Sequence, residues 1–148
     1  MSEKKNQTER ARFETPTDQV RERILARWLG KYFGLEPVRN PDMSHIDYRY
    51  FKDGVLAGEI EFKCRREAFR EIIFREGYMI SEIRYDRIVA AEKAGLSFSI
   101  GKTDAWYWDG VPRHSLTHRW GGRTNKVRDA FDSEWVIDIP MSWCVKIH

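Results

Sequence analysis

The first clear pattern of apolar positions lies between residues 15 and 34 and has the period of a helix. Apolar side chains recur every third or fourth residue and form one stripe, made of Val20, Ile24, Leu25, Trp28, Leu29 and Tyr32. Thr15 and Pro16 suit a helix start, and Gly34 suits a helix end. The pattern predicts an α-helix from about residue 15 to residue 33, after a loose polar tail at residues 1–14.

Apolar and polar positions then alternate between residues 45 and 65, which is typical of two antiparallel strands. A two-residue Asp53-Gly54 turn would pair Asp47 with Ile60 and mix the two faces of this hairpin. We therefore expect a three-residue loop, with Gly54 in the left-handed conformation and Asp47 opposite Glu59. One face is then apolar, and the other collects His45, Asp47, Arg49, Glu59, Glu61 and Lys63.

The remaining pattern predicts an α/β fold. Residues 36–44 and 110–128 are predicted as loops, and residues 66–77 as a short helix or irregular segment. Ser81 is predicted to cap a helix that runs to about Ala94 and stops at Gly95. Strand patterns follow at residues 96–100, 104–108 and 134–140, with a trailing segment at 143–147. We expect a central mixed β-sheet flanked by helices, in a single domain over residues 15–148.

Composition narrows the class of protein. The chain has 148 residues, 41% of them hydrophobic, and a net charge of +3. Two cysteines, Cys64 and Cys144, cannot build a disulfide framework, and no spacing of Cys and His suggests structural zinc. Without a signal peptide pattern or an apolar stretch of about 20 residues, we expect a cytoplasmic protein with no membrane partner.

The acidic side chains of the hairpin have two interpretations. Like charges directly opposite each other in a sheet cost up to about 1 kcal/mol, so an exposed face could carry them idly. Alternatively, Asp47 and Glu61 are diagonal neighbours that share one Mg²⁺ or Mn²⁺, ions that prefer oxygen ligands. Lys63 would lie on the same face, beside a water molecule or a phosphate oxygen.

The order of these residues resembles the PD-(D/E)xK nuclease superfamily. The resemblance consists of Glu22 on the first helix, Asp47 on one strand and Glu61-Phe62-Lys63 on the next. The segment MISEIRYDRIVAAEKAGLSFSI is similar to the helix and strand that follow Glu-x-Lys in small members, including Holliday-junction resolvases and phage-encoded nucleases. The resemblance extends over roughly residues 17 to 108 and implies a restriction-endonuclease-like core.

The resemblance implies Mg²⁺-dependent hydrolysis of DNA phosphodiester bonds. Asp47, Glu61 and the backbone carbonyl of Phe62 would be metal ligands, and Lys63 would be the catalytic lysine. Glu22 would be a second-metal or water-orienting acid. Two reserve ligands stay open: Asp42, in the literal Pro41-Asp42 dipeptide, could replace Asp47, and Glu59 could replace Glu61 if the register slips.

A nuclease also needs cations that position phosphates. The basic residues that could serve are Arg65, Arg84, Arg119, Arg123, Lys126 and Arg128. For Arg84, a solvated helix side chain is favoured over a phosphate contact. We expect an endonuclease that acts in the host cytoplasm if it is phage-encoded. We expect it to be a homodimer and to act on branched DNA or on recombination or replication intermediates. The alternatives are an inactive DNA-binding module with the same fold and a phage assembly or host-interaction protein.

Overall fold

The computed structural model describes residues 16–41, 46–64, 77–101, 103–122 and 133–148. Helix α1 spans Pro16–Phe33, as the apolar stripe predicts. It ends where Gly34 takes a φ of +68°, a left-handed conformation that glycine adopts without steric cost. The predicted cap, Thr15, lies outside the described residues.

A six-stranded mixed sheet forms the centre of the molecule, in the order β1-β2-β3-β5-β6-β9. Its strands are β1 (Glu36–Arg39), β2 (Tyr48–Lys52), β3 (Val55–Cys64), β5 (Ala94–Ile100), β6 (Asp104–Trp108) and β9 (Cys144–Lys146). The β3–β5 pair is parallel, whereas the other neighbours are antiparallel. The predicted central mixed sheet is therefore confirmed.

A second, three-stranded sheet has the order β4-β8-β7. It consists of β4 (Tyr78–Ser81), β7 (Arg119–Gly122) and β8 (Ser133–Ile139), and a 3₁₀ turn, Met141–Trp143, follows it. Strand β7 falls in the stretch predicted as a loop, and β1 falls in the other predicted loop. Pro37 weakens the strand pattern of β1, but β1 is an edge strand, where proline is tolerated.

Helix α2 (Glu82–Ala90) follows β4 directly and leads to β5. The predicted cap is confirmed, because the Ser81 hydroxyl accepts a 3.2 Å hydrogen bond from the Arg84 N–H. The predicted end at Gly95 is wrong. The helix stops four residues before Ala94, Lys93 takes a φ of +62°, and Gly95 already belongs to β5.

The β2–β3 hairpin corrects the predicted register. Its turn has two residues, Asp53 and Gly54, both with positive φ, as in a type I′ turn. The faces are still uniform, because Ala57 is an extra residue on β3: Tyr50 pairs with Gly58, and Phe51 with Leu56. This bulge shifts the register by one residue and undoes the mixing that a two-residue turn would otherwise cause.

Two hydrophobic cores lie on opposite faces of the six-stranded sheet. Helix α1 covers one face with a core that contains Leu25, Ala26, Leu29, Tyr48, Tyr50, Ile60, Phe62, Ala105 and Ile147. Helix α2 and the three-stranded sheet cover the other face, with Tyr78, Ile80, Ile88, Leu96, Phe98, Trp108, Ile137, Ile139 and Trp143. Strand β3 thus has protein on both sides, and its alternating side chains point into different layers. No helix in the described ranges has the length and apolarity needed to cross a membrane.

Candidate active site

Glu61 is a charged residue in a fully buried position. It lies in β3, its relative exposure is 0%, and two arginines of α2 contact it. Arg84 Nε is 2.7 Å from Oε2, and Arg87 Nη2 is 3.0 Å from Oε1. Arg87 Nε also donates a 3.0 Å hydrogen bond to Oε1. A buried carboxylate is expensive without such partners, so the two guanidinium groups stabilise its charge.

Helix geometry explains why both arginines reach one carboxylate. Arg84 and Arg87 are three residues apart, and residues at this spacing lie on the same face of a helix. The Ser81 cap fixes where that helix starts. Interpretation of Arg84 as a solvated side chain is wrong, because the side chain is only 13% exposed. Arg87 was missed by sequence reasoning, although its spacing from Arg84 was a usable signal.

Asp47 lies beside the peptide that joins Glu61 to Phe62. Its Oδ2 accepts a 2.7 Å hydrogen bond from the Phe62 N–H. Tyr48 pairs with Ile60, so the register continued by one residue places Asp47 opposite Glu61, not opposite Glu59 as predicted. The residue opposite Glu59 is Arg49, whose charge is opposite, so the expected repulsion between two acids does not arise.

Asn40 holds the chain on which Asp47 lies. Its backbone N–H donates a 2.9 Å hydrogen bond to the Asp47 carbonyl, and its Nδ2 donates one of 3.0 Å to the Ile46 carbonyl. Arg49 Nε in turn donates a 2.7 Å hydrogen bond to Asn40 Oδ1. These bonds fix the backbone on the N-terminal side of β2, and sequence reasoning assigned Asn40 no role.

Lys63 and the Phe62 carbonyl complete this part of β3. Lys63 is half-buried and two residues from Glu61, so alternation places both side chains on the α2 side of the sheet. The Phe62 N–H points toward Asp47. In a strand, the N–H and C=O of one residue point to the same side, so the Phe62 carbonyl also points to the side of Asp47.

Glu22 approaches from the other layer. It lies on α1, which covers the opposite face of the sheet, and it acts electrostatically on the Tyr48 hydroxyl. Burial raises the pKa of Tyr48, the charges of Glu22 and Asp47 raise it further, and Arg39 and Arg23 lower it. Both carboxylates are therefore within electrostatic reach of one hydroxyl.

The donor set suits a hard divalent cation. Asp47, Glu61 and the Phe62 carbonyl offer only oxygen atoms, which Mg²⁺ and Mn²⁺ prefer. No three His, Cys, Asp or Glu side chains within the described ranges are grouped closely enough to hold a metal ion. Both oxygens of the Glu61 carboxylate are already paired with Arg84 and Arg87, so a metal ion bound here would share this carboxylate with the two guanidinium groups.

The predicted DNA-contacting residues other than Arg84 fall into two groups. Arg119 lies in β7 and forms a two-point ion pair with Asp138, with Nε–Oδ2 and Nη2–Oδ1 distances of 2.9 and 3.0 Å. This pairing raises the pKa of Arg119. Four of the other predicted residues, Arg65, Arg123, Lys126 and Arg128, lie outside the described residues, as do Asp42 and His45.

Comparison with known proteins agrees with this arrangement. A family model described as "Phage putative PDDEXK endonuclease" matches residues 8–147. Comparisons with curated proteins and with solved structures found no match. From α1 to β5 the chain forms a helix, three antiparallel strands, the short strand β4 of the second sheet, a helix and a parallel strand. This mixed sheet flanked by two helices is consistent with a restriction-endonuclease-like fold. The family match covers nearly the whole chain, and the protein therefore belongs to this family of phage PD-(D/E)xK endonucleases.

Proposed function

We propose that the protein is a Mg²⁺-dependent DNA endonuclease. Asp47, Glu61 and Lys63 would form the active site at which it hydrolyses phosphodiester bonds. The observation that carries this proposal is the placement of two carboxylates at one peptide of β3. Glu61 belongs to that peptide, and Asp47 Oδ2 accepts a hydrogen bond from its N–H. Membership in a family of endonucleases supports the reaction class.

The metal would be held by Asp47, Glu61 and the Phe62 carbonyl. When bound there, Mg²⁺ would lower the pKa of water and offset negative charge at the phosphate. With Mn²⁺, which has the same ligand preference, calorimetry can measure this binding without any cleavage reaction. We expect Asp47→Asn to weaken Mn²⁺ binding at least tenfold, because it removes a charged ligand.

The other residues of the site act on the substrate and on Glu61. Lys63 lies on the same face as Glu61, where its ammonium group can hold a phosphate oxygen or orient the attacking water. Arg84 and Arg87 keep the Glu61 carboxylate in one position, because they hold it from two points on one helix. Glu22, on the α1 side, would orient water at the start of β2.

Plasmid cleavage tests the proposal directly. The purified protein is incubated with supercoiled plasmid, branched DNA and single-stranded DNA, with and without Mg²⁺. We expect nicked or linear product only with Mg²⁺, and at least about 100-fold slower cleavage by Lys63→Ala, the size of effect seen when a transition-state donor is removed. Arg27→Ala, which alters an exposed residue of α1, is the matched control and should cleave normally.

Cleavage that continues undiminished in both Asp47→Asn and Lys63→Ala would reject the assigned site. DNA binding without cleavage under any metal condition would instead favour an inactive nuclease-fold module. We further propose a homodimer acting in the cytoplasm, because two sites would let one assembly cut two strands. Light scattering at concentrations used for cleavage measures the mass of the assembly.

A further inference from the structure

Two tryptophans are exposed on the three-stranded sheet. All six tryptophans lie in the described ranges, and Trp120 and Trp135 are the exposed ones, at 62% and 52%. They are direct cross-strand partners in β7 and β8. Their ring centroids are 5.5 Å apart and their planes are 80° from parallel, so the pair is edge-to-face. Such large apolar rings are usually buried, and an exposed pair indicates a binding surface.

The ion pair between Arg119 and Asp138 holds the tryptophan pair in place from the other face of the sheet. Arg119 pairs with Val136 in the ladder, one position from the Trp120–Trp135 pair. Neighbouring residues of a strand point to opposite faces, so Arg119 and Asp138 lie on one face of the sheet. Trp120 and Trp135 lie on the other face, beyond the buried Ile137 and Ile139 of the same face. The two-point contact with Asp138 joins β7 to β8 at this position.

The tryptophan pair lies at the end of α2 that carries Arg84. The antiparallel β4–β8 ladder ends where Ser81 is opposite Val136. Trp135 is the next residue of β8 beyond this end, and Glu82, the first residue of α2, is the next residue after β4. His118, just before β7, contacts the same Glu82 with Nδ1 2.6 Å from Oε2. Arg84, two residues further along the helix, contacts Glu61. One helical turn therefore links the aromatic pair to the candidate active site.

The sequence around β7 has the charge of a nucleic-acid-binding segment. Residues 110–128 contain five Lys and Arg residues and no Asp or Glu. The phosphates of DNA are attracted to such a basic segment. DNA matches this charge better than an acidic or neutral protein surface would. Arg113 and Arg119 are paired with Asp109 and Asp138, and Arg123, Lys126 and Arg128 follow β7 directly in the sequence. Aromatic rings within a basic segment are typical of proteins that bind single-stranded nucleic acid, because every base has a face on which a ring can stack.

We propose that Trp120 and Trp135 form a stacking site for unpaired nucleobases of the DNA substrate. This inference rests on the proposed function and adds the substrate class, which is DNA with unpaired bases next to the cut. Bases inside a duplex are stacked on each other and present only their edges, so tryptophan rings cannot reach their faces. The endonuclease would therefore bind single-stranded, flapped or branched DNA more tightly than continuous duplex.

Fluorescence anisotropy with labelled oligonucleotides tests the proposal. All proteins carry Lys63→Ala to prevent cleavage, and single-stranded and duplex DNA are compared in Mg²⁺. We expect Trp120→Ala and Trp135→Ala each to weaken single-strand binding about tenfold, the effect of losing one base stack, and to change duplex binding less than twofold. Trp120→Phe should recover most of the lost affinity, because phenylalanine can still stack.

Tyr32→Ala is the matched control. Tyr32 forms another exposed edge-to-face pair, with Phe33 at a centroid distance of 4.9 Å, on α1 in the opposite layer. The Tyr32→Ala variant should bind single-stranded and duplex DNA with unchanged affinity. Circular dichroism and thermal unfolding of each variant show that it is folded.

Single-strand affinity that is unchanged in both tryptophan variants, or duplex affinity that falls equally, would overturn the proposal. A change in oligomeric mass with unchanged DNA affinity would also overturn it and assign the pair to contacts between copies of the chain. The proposed function can fail separately. If wild-type protein never cleaves DNA but the tryptophan variants lose single-strand binding, the stacking site stands and the catalytic assignment is lost.

Discussion

At the scale of single residues, the site depends on how Glu61 keeps its charge in a layer that excludes water. Arg84 and Arg87 supply the compensating charge from one helix face. The carboxylate is thus both a candidate metal ligand and part of the contact between α2 and β3. Changes at these arginines should therefore alter the stability of the fold as well as cleavage.

A double-mutant cycle measures this coupling. Arg84→Ala should lower the free energy of unfolding by about 3 kcal/mol, because it leaves a buried carboxylate with one of its two partners. In a Glu61→Gln background the same change should cost much less, since no buried charge loses its partner. Urea denaturation gives both values. Equal costs in the two backgrounds would show that Arg84 stabilises the fold by packing alone.

Arg113 and Asp109 give a residue-scale prediction about pH. The Arg113 guanidinium, hydrogen-bonded to Asp109, lowers the pKa of that carboxyl, and the Val111 N–H lowers it further, against the effect of partial burial. The folded pKa lies below the unfolded value. The stabilisation is therefore present above the unfolded pKa and is lost as pH falls through the folded pKa.

In Arg113→Ala we expect the pKa of Asp109 to rise toward its ordinary value, so Asp109 should stabilise the fold less at neutral pH and the stability should depend less on pH in the acid range. Carboxyl-detected NMR titration measures the pKa in each variant. Lys146→Ala is a suitable control, because Lys146 pairs with a different carboxylate, Asp104, at 3.6 Å. A pKa that stays low in Arg113→Ala would show that Arg113 is not its main cause.

At the scale of elements, the bulge at Ala57 decides which layer each side chain of β3 enters. The two-residue turn alone would put Glu61 and Lys63 out of phase with Asp47, and the extra residue restores the phase. Helix α1, the hairpin strands and the positions of Glu61 and Lys63 were predictable, because each depends on a local period. The bulge was not, because Ala57 has no side-chain feature that marks it.

Deletion of Ala57 should abolish cleavage and lower stability by more than 4 kcal/mol. Without the bulge, β2 and β3 cannot keep both the turn and the apolar pairs, so a charged side chain must enter the α1 core or the hairpin must open. The control for this deletion is a substitution in the turn. Gly54→Asn should cost only about 1 kcal/mol and leave cleavage intact. A Cβ at Gly54 would meet no atom within 4 Å, and asparagine is among the residues that best tolerate the φ of +79°. Thermal unfolding and plasmid cleavage are measured for both variants. A deletion variant that is stable and active would show that neither the fold nor the active site needs the bulge at Ala57.

At the scale of the whole molecule, one sheet joins the two cores. Strand β3 contributes Ile60 to the α1 core, and its parallel partner β5 contributes Leu96 to the α2 core. The second sheet could not be predicted, because β4 and β8 pair over a long distance along the chain and the pattern around β7 predicts a loop. For the same reason, the sequence did not predict that Arg84 and Arg87 contact Glu61, which lies more than 20 residues away along the chain.

Because both cores share this sheet, we expect the protein to unfold in one cooperative transition. Leu29→Ala in the α1 core and Ile137→Ala in the α2 core should each lower the free energy of unfolding by about 2–5 kcal/mol. This is the usual cost of truncating a buried Leu or Ile to Ala. Tryptophan fluorescence and far-ultraviolet circular dichroism should then give coincident midpoints in every variant. Separate midpoints in either variant would show that the two faces unfold independently.

The hydrogen bonds of Asn40 have a practical consequence for labelling. Because Asn40 binds both Ile46 and Asp47, the two ends of the intervening segment are tied together next to the candidate ligand. Lengthening a segment whose ends are already joined costs little, about 0.6 kcal/mol for each doubling. A short peptide carrying a fluorophore could therefore be inserted between these anchors while Asn40 keeps the backbone of Asp47 in place. Its signal on addition of Mn²⁺ or DNA would test the proposed binding directly.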